Sequence, residues 1–298
     1  MDEMRVAVGA ATDTGTVREE NEDSVFVADP EGELAQSHGV LLAVADGMGG
    51  YQRGEVAAQI AVDTLREDYY GSEIGPTEVP LRLKQAFRHA NELIYQNGSA
   101  NGDDNMMGTT LVAAVIRGND LTIGNVGDSR AYLIRANRAT QVTRDHSLVA
   151  EQVAAGAMTE QEARESQHRN IITRALGHRP RVDVDIFEIR LLADDRLVLT
   201  TDGVHDYVDE EDLTRIVLSS PPEQAARELV QTALARSSND NVSAVVAWMM
   251  PAGATLEPQP VEVEAGGRGA LLVPVLVLIG LLVFIAIVAV ILFMGGGA

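Results

Sequence analysis

The sequence predicts an α+β domain of layered antiparallel sheets, followed by one membrane-spanning helix near the C-terminus. Three observations lead to this fold class: apolar runs joined by tight Gly, Asn or Asp turns, separate segments with helical periodicity, and a long uncharged stretch late in the chain. Tight turns between apolar runs are typical of hairpins, whose strands pair antiparallel. Hairpins with grouped helices favour layered sheets over a doubly wound parallel sheet.

Eight short segments have the apolar, β-branched composition of strands. They are residues 4–11, 40–45, 110–116, 121–125, 131–135, 182–189, 196–199 and 242–248. The turn Arg117-Gly118-Asn119-Asp120 lies between two of them and predicts a hairpin. Apolar residues recur at helical spacing in four other segments. These are residues 54–70, 79–96, 148–155 and 223–235.

Composition excludes several classes of function. The 298-residue chain has a formal net charge of −21, which argues against nucleic acid as a partner because a phosphate backbone requires a basic surface. The absence of cysteine excludes disulfides, a thiolate nucleophile and Cys-ligated zinc. A metal bound here would be a hard cation on oxygen ligands, such as Mg²⁺, Mn²⁺ or Ca²⁺. Most carboxylates that do not bind such a metal are expected to lie on the solvated surface.

Residues 270–294, ALLVPVLVLIGLLVFIAIVAVILFM, carry no charge. A helix of this length exceeds the roughly 30 Å hydrocarbon core of a bilayer. The alternative is a buried core helix, which is rarely apolar on all sides for so long. We therefore expect a single-pass protein with a folded domain over residues 1–250, a Pro, Gly and Glu linker over 251–269, and a short tail over 295–298. The N-terminus lacks the apolar region of a signal peptide, so the domain is expected on the cytoplasmic side, with only Arg268 as positive-inside support.

Four aspartates stand at the ends of apolar runs, each beside glycine or asparagine. They are Asp46, Asp128, Asp202 and Asp240. A carboxylate at a strand end stands on a rigid scaffold, and a neighbouring glycine lets the backbone turn sharply or approach a ligand closely. A single Asp-Gly is more often only a turn, but four such positions in one chain favour a functional site.

The segment Arg18-Glu19-Glu20-Asn21-Glu22-Asp23 has two interpretations. It is either a charged surface loop or part of a phosphate site. In the second case the Arg18 guanidinium donates two parallel hydrogen bonds to phosphate oxygens. Glu22 and Asp23 would then contact a metal ion or its bound water.

The order of these motifs along the chain is specific. The motifs are Arg18-x-x-Asn-Glu-Asp, Val44-Ala-Asp-Gly-Met-Gly-Gly, Gly108-Thr-Thr-Leu, Gly124-Asn-Val-Gly-Asp-Ser-Arg130, Asp145-His-Ser, Ile172-Thr-Arg-Ala-Leu-Gly177, Leu199-Thr-Thr-Asp-Gly203 and Asp240-Asn-Val-Ser243. In content and order they resemble the type 2C, metal-dependent protein phosphatase family, and its bacterial members most closely. The resemblance covers residues 4–248.

The resemblance implies a four-layer α-β-β-α sandwich with two Mn²⁺ or Mg²⁺ ions at one end and a third, weaker ion. By motif position, Asp46 would bridge the two ions and the carbonyl of Gly47 would be a ligand of one. Asp202 and Asp240 would complete the shell of the other ion. The third ion would be bound by Asp128.

The remaining site residues are implied in the same way. Glu22 and Asp23 would act through direct or water-mediated metal contact, and Arg18 would hold the substrate phosphate. Met48 stands where many eukaryotic members carry a histidine that is proposed as the general acid. Since methionine cannot donate a proton, the candidates are a metal-bound water, which we prefer, and His146, for which a structural role is favoured. Residues 156–169 correspond to a mobile flap near the site.

The implied reaction is hydrolysis of phosphoserine and phosphothreonine in proteins. Two divalent ions about 3.5–4 Å apart can share a hydroxide at neutral pH. That hydroxide would attack phosphorus in line, while the metals and Arg18 take up the charge of the equatorial oxygens. No enzyme nucleophile is needed, in agreement with the missing cysteine.

Two alternatives belong to other functional classes. One is a catalytically inactive relative that binds phosphoproteins as a membrane receptor, which the retention of Asp46, Asp202 and Asp240 disfavours. The other is an acidic Ca²⁺-binding module, which would use an Asp-x-Asp-x-Asp-Gly loop that the chain lacks. The expected partners of an active enzyme are phosphoproteins, specifically membrane-bound serine/threonine kinases and their substrates.

Overall fold

The computed structural model describes residues 5–49, 53–71, 78–99, 107–251 and 253–256. The strands in these ranges are β1 (Arg5–Asp13), β2 (Asp23–Val27), β3 (Val40–Met48), β4 (Gly108–Thr109), β5 (Leu111–Arg117), β6 (Asp120–Val126), β7 (Arg130–Arg135), β8 (Arg138–Gln141), β9 (Asp185–Arg190), β10 (Arg196–Thr200) and β11 (Val242–Met250). The helices are α1 (Glu33–His38), α2 (Arg53–Gly71), α3 (Val79–Ser99), α4 (Leu148–Ala154), α5 (Glu160–Glu165), α6 (Asp202–His205), α7 (Glu210–Ser219) and α8 (Pro222–Ala235).

The strands form two antiparallel sheets. The first has the order β1-β11-β10-β7-β8, and the second has the order β2-β3-β5-β6-β9 with β4 paired to β3. The hairpin predicted at Arg117–Asp120 joins β5 to β6, with these two residues paired and Gly118 in the left-handed region at φ 60°. Glycine reaches that region without steric cost, which explains the tight turn.

Helices cover the outer face of each sheet, and the inner faces pack on each other. Helices α2 and α3 pack on the second sheet, whereas α7 and α8 pack on the first. Strand β10 shows the consequence: Leu197 and Leu199 join the core between the sheets, and Val198 joins the core under α7 and α8. Both faces of the strand are buried, which explains the uninterrupted apolar run at its centre, residues 197–199. The predicted four-layer sandwich of two antiparallel sheets is confirmed.

The element predictions were right for seven of the eight strands and all four helices, with ends displaced by a few residues. The strand predicted over residues 182–189 is wrong at its start, because β9 begins at Asp185. Val182 and Val184 are nevertheless buried in the core between the sheets. The alternating apolar residues in this segment therefore reflect its burial, although the segment does not belong to a strand. The elements that were not predicted are β2, β4, β8, α1, α5, α6 and α7.

The predicted membrane helix at residues 270–294 and the tail at 295–298 lie outside the described residues, as does most of the 251–269 linker. In the part of the chain that is described, no helix has both the length and the apolar character required to cross a bilayer.

Candidate active site

Asp23 and Asp46 stand opposite each other where β2 pairs with β3. The backbone of Asp46 is fixed by three hydrogen bonds. Its N–H donates to Thr110 Oγ1 at 3.0 Å, and its carbonyl accepts from Thr110 N at 2.9 Å and from Thr109 Oγ1 at 2.8 Å. The second sheet therefore holds Asp46 rigidly, as a ligand that bridges two ions would require.

Asp202 and Asp240 come from the first sheet. Asp202 begins α6 just after β10, and Asp240 lies two residues before β11, which is the neighbouring antiparallel strand. The two segments are in close backbone contact, because a Cβ atom on Gly203 would lie 1.9 Å from the carbonyl oxygen of Asn241. Glycine after Asp202 is thus required for the approach of the two aspartate segments.

The carboxylates of the two sheets lie close enough to raise one another's pKa values. Burial, reinforced by the negative charges of Asp202 and Asp23, raises the pKa of Asp46 well above its ordinary value. Burial likewise raises the pKa of Asp23 and of Asp128 to about 7 each, and that of Asp202 to about 6. The charge of Asp240 adds to the effect at Asp202. Since like charges this close disfavour ionisation, the cluster is costly without a cation.

The donor set fits hard divalent cations. Oδ1 of Asp23 and Oδ1 of Asp202 are buried and accept no hydrogen bond within the described residues, although buried carboxylate oxygens are normally satisfied. In the described ranges, no group of three or more aspartate, glutamate or histidine side chains is already arranged to hold a metal ion. Carboxylate oxygens of this kind, without a hydrogen-bond partner, are the ligands that Mg²⁺ and Mn²⁺ prefer.

Arg18 and Glu22 lie beside this centre. Nη2 of Arg18 donates to Oδ2 of Asp240 at 2.8 Å, and the Arg18 side chain is 48% exposed. Burial raises the pKa of Glu22, against the opposing charge of Arg18. Arg18, the predicted phosphate-binding residue, therefore contacts the predicted metal ligand Asp240 directly, and its guanidinium is still accessible to solvent.

Asp128 lies in the same region but within its own network. It is 9% exposed, and its neighbour Ser129 hydrogen-bonds Thr110, the residue that holds Asp46. Arg130 contacts Asp145 through Nε and Nη2, the latter at 2.6 Å. The arginine of the Gly-Asp-Ser-Arg motif is thus committed to an internal ion pair. Its partner Asp145 belongs to the Asp-His-Ser motif but was not predicted as a site residue.

His146 has a structural role in this structure. Its Nδ1 accepts a hydrogen bond from Gly127 N at 3.0 Å, and its Nε2 lies 3.2 Å from Asp185 Oδ2. Burial lowers the pKa of His146, and both ring nitrogens are engaged, with Nδ1 as an acceptor. This arrangement supports the structural interpretation of His146 over the general-acid one. Met48 is the last residue of β3, opposite Gly108.

The flap segment, residues 156–169, contains α5 and is joined to the rest of the domain near the site. Arg169 lies 3.6 Å from Asp206, just after the helix that Asp202 begins. At its base, Leu148 N donates to the carbonyl of Ile171 at 2.8 Å. The end of the segment therefore lies close to α6, which begins at Asp202, while the mobility expected of a flap stays a prediction.

Comparison with known proteins gives a consistent result. The family profile of protein phosphatase 2C matches residues 8–152. The serine/threonine phosphatase stp of Listeria welshimeri is 33% identical over 238 residues, which is 79% of this chain and 92% of that protein. The serine/threonine protein phosphatase PstP of Mycobacterium tuberculosis is 36% identical over 242 residues. The match covers 80% of this chain and 44% of PstP, which is a longer protein.

Solved structures agree with these relatives. The PstP catalytic domain in complex with two manganese ions superposes with a TM-score of 0.71 at 34% identity, covering 83% of this chain and all of that one. Stp1 of Staphylococcus aureus gives a TM-score of 0.75 at 34% identity, over 82% of this chain and 95% of that one. The chain therefore belongs to the protein phosphatase 2C family, as a metal-dependent serine/threonine phosphatase of the bacterial type.

Proposed function

We propose that the chain hydrolyses phosphoserine and phosphothreonine in proteins and uses two Mn²⁺ or Mg²⁺ ions to do so. The observation that carries this proposal is the cluster of buried, mutually repelling carboxylates with unpartnered oxygens at Asp23 and Asp202. Asp46, the Gly47 carbonyl, Asp202 and Asp240 would hold the two ions, with Glu22, Asp23 and Asp128 contributing as outer or third-ion ligands. When bound, the ions would supply a nucleophilic hydroxide at neutral pH and neutralise phosphoryl charge.

The protein's own groups have three tasks in this reaction. Arg18 orients the phosphate, because its exposed guanidinium stands beside Asp240 and can donate to two phosphate oxygens. The rigid backbone around Asp46 keeps the ligand geometry fixed while charge moves. Neither Met48 nor the fully engaged His146 can protonate the departing serine or threonine oxygen. We assign that proton to water rather than to a side chain.

The proposed cellular setting follows from the uncharged stretch at residues 270–294. A membrane helix there would confine the phosphatase domain to the cytoplasmic face of a membrane, alongside membrane-bound serine/threonine kinases and their phosphorylated substrates. Confinement to one surface raises the effective concentration of enzyme and substrate. The acidic chain would meet protein partners rather than nucleic acid.

Metal removal gives the direct test of activity. Full-length protein in detergent should release phosphate from a phosphothreonine peptide when Mn²⁺ or Mg²⁺ is added, and chelation with EDTA should abolish release because the carboxylates alone supply no nucleophile. Phosphate is measured colorimetrically, with Ca²⁺ as the control cation. Tight peptide binding without turnover under every metal condition would instead favour an inactive phosphoprotein receptor.

A pair of reporter fusions tests the membrane setting. Alkaline phosphatase fused after Ala298 should be active, since it folds only outside the cytoplasm, whereas a fluorescent protein fused before Met1 should fluoresce. Deletion of residues 270–298 should move the protein from the membrane fraction to the soluble fraction. A fluorescent C-terminal fusion, or an unchanged distribution after the deletion, would refute the proposed topology.

A further inference from the structure

Asn241 directly follows Asp240 and uses its side chain to bind three backbone groups. Its Nδ2 donates to the carbonyl of Thr14 at 2.8 Å and to the carbonyl of Glu20 at 2.9 Å. Its Oδ1 accepts from the N–H of Glu22 at 2.8 Å. The residue is only 5% exposed. Both amide hydrogens are therefore used, and all three bonds go to one segment of the chain.

That segment, residues 14–22, connects β1 to β2 and carries Arg18 and Glu22. It lies directly on the backbone of Asp240, because a Cβ atom on Gly15 would come within 2.3 Å of the Asp240 carbonyl oxygen. Gly15 has φ 82°, in the region that glycine occupies without strain. The three hydrogen bonds of Asn241 thus bind the Arg18 segment where it crosses Asp240.

The loop that carries Asn241 is itself fixed from the opposite side. Ser238 Oγ donates to the carbonyl of Gly203 at 3.0 Å and is buried. The hydroxyl of Tyr207 donates to Asn239 Oδ1 at 2.9 Å. Gly203 lies in α6, the helix that begins at Asp202, and Tyr207 lies in the turn after that helix. Asn241 consequently joins the Arg18 segment to a platform shared by Asp202 and Asp240.

We propose that Asn241 is a positioning residue for substrate binding: its amide holds Arg18 at a fixed place relative to Asp202 and Asp240. This inference rests on the proposed phosphatase function. An amide suits the position because two donors must face two carbonyls while one acceptor faces an N–H. Aspartate has the same shape, but the oxygen that replaces Nδ2 would face the carbonyls of Thr14 and Glu20 and repel them. The segment would detach while the ligand carboxylates stay in place.

The Asn241→Asp variant tests the proposal in the full-length enzyme with saturating Mn²⁺. Loss of two buried hydrogen bonds should raise KM for a phosphothreonine peptide about 10-fold or more, with a smaller change in kcat. Asn119→Asp is the matched control, since it makes the same change in the turn between β5 and β6, at the opposite end of that hairpin from Asp128. It should leave KM within about 2-fold of the wild type.

A double-mutant cycle shows whether Asn241 acts through Arg18. Arg18→Ala should raise KM by itself, and adding Asn241→Asp to it should change KM by less than about 2-fold. Fully additive effects, or an Asn241→Asp variant that behaves like Asn119→Asp, would overturn the proposal. Should Asn241→Asp not fold, Asn241→Ser removes the same donors without adding a charge and is judged by the same criteria.

Amide hydrogen exchange of the metal-free protein tests the physical basis without catalysis. Residues 14–20 should exchange faster in Asn241→Asp than in the wild type or Asn119→Asp, whereas β3 should not change. Equal exchange in all three proteins would contradict the proposed attachment. If the wild type showed no phosphatase activity, the proposed function would fail, and the exchange experiment would still decide whether Asn241 holds this segment.

Discussion

Replacing Asp46 by asparagine should abolish phosphatase activity and at the same time stabilise the metal-free protein. We expect kcat/KM to fall by at least about 10³-fold, because the two-metal chemistry would lose the ligand proposed to bridge the ions. Without metal, the same change removes a buried charge that Asp202 and Asp23 repel. The free energy of unfolding should therefore rise by about 1–2 kcal/mol. Phosphate release and thermal unfolding in EDTA measure the two effects.

The control for this variant is Asp120→Asn, which neutralises an aspartate far from the cluster. Asp120 is 70% exposed and pairs with Arg190 on the surface. Such pairs contribute little to stability, so activity should be unchanged and the free energy of unfolding should shift by less than about 0.5 kcal/mol. Retained activity in Asp46→Asn, or a metal-free variant less stable than the wild type, would be incompatible with a strained ligand cluster at Asp46.

Gly47→Ala should damage the fold where the site is built. A Cβ atom at this position would lie 2.1 Å from the carbonyl oxygen of Gly54 in α2 and 2.5 Å from that of Glu22. Both obstacles are backbone atoms, so the added methyl group must push α2 and the Glu22 segment away from β3. We expect a loss of about 3 kcal/mol, which corresponds to a fall in melting temperature of roughly 6–12 °C for a domain of this size.

Gly71→Ala provides the matched control, because a Cβ atom there meets nothing within 4 Å. It lies at the end of α2, where alanine is tolerated, so its melting temperature should equal or slightly exceed that of the wild type. Calorimetry of both variants measures the difference. A Gly47→Ala protein as stable as Gly71→Ala would show that β3 and α2 are not as closely packed as described.

Much of the fold could be predicted because burial on one or two faces leaves a regular apolar pattern. Strand β10 was recognised from a continuous apolar run, and α2 from its helical period. Strand β2 was missed because DSVFV follows a charged segment and is only half-buried. Helix α7 did leave a signal: the Asp209 side chain caps its first turn, and Leu213, Ile216 and Val217 form its buried face.

The site was predictable to the extent that its residues stand at strand ends in ordered motifs. Asp46, Asp202 and Asp240 were predicted this way. Antiparallel pairing sets Asp46 opposite Asp23 in one sheet, and neighbouring strands of the other sheet carry the segments of Asp202 and Asp240. Their contacts were not predictable, because they join residues far apart in the sequence. Arg18 meets Asp240 across 222 positions, and the three bonds of Asn241 depend on how two loops cross. Contacts between residues so far apart leave no pattern in the local sequence.

Crystals soaked in Mn²⁺ and measured at the manganese absorption edge would locate the ions themselves. We predict two anomalous peaks at coordination distance from carboxylate oxygens, both in contact with Asp46 and one also in contact with Asp202 and Asp240. A weaker third peak is expected at Asp128. Manganese found only at other carboxylates, with none bound to Asp46, would show that the buried cluster is not the metal centre of this phosphatase.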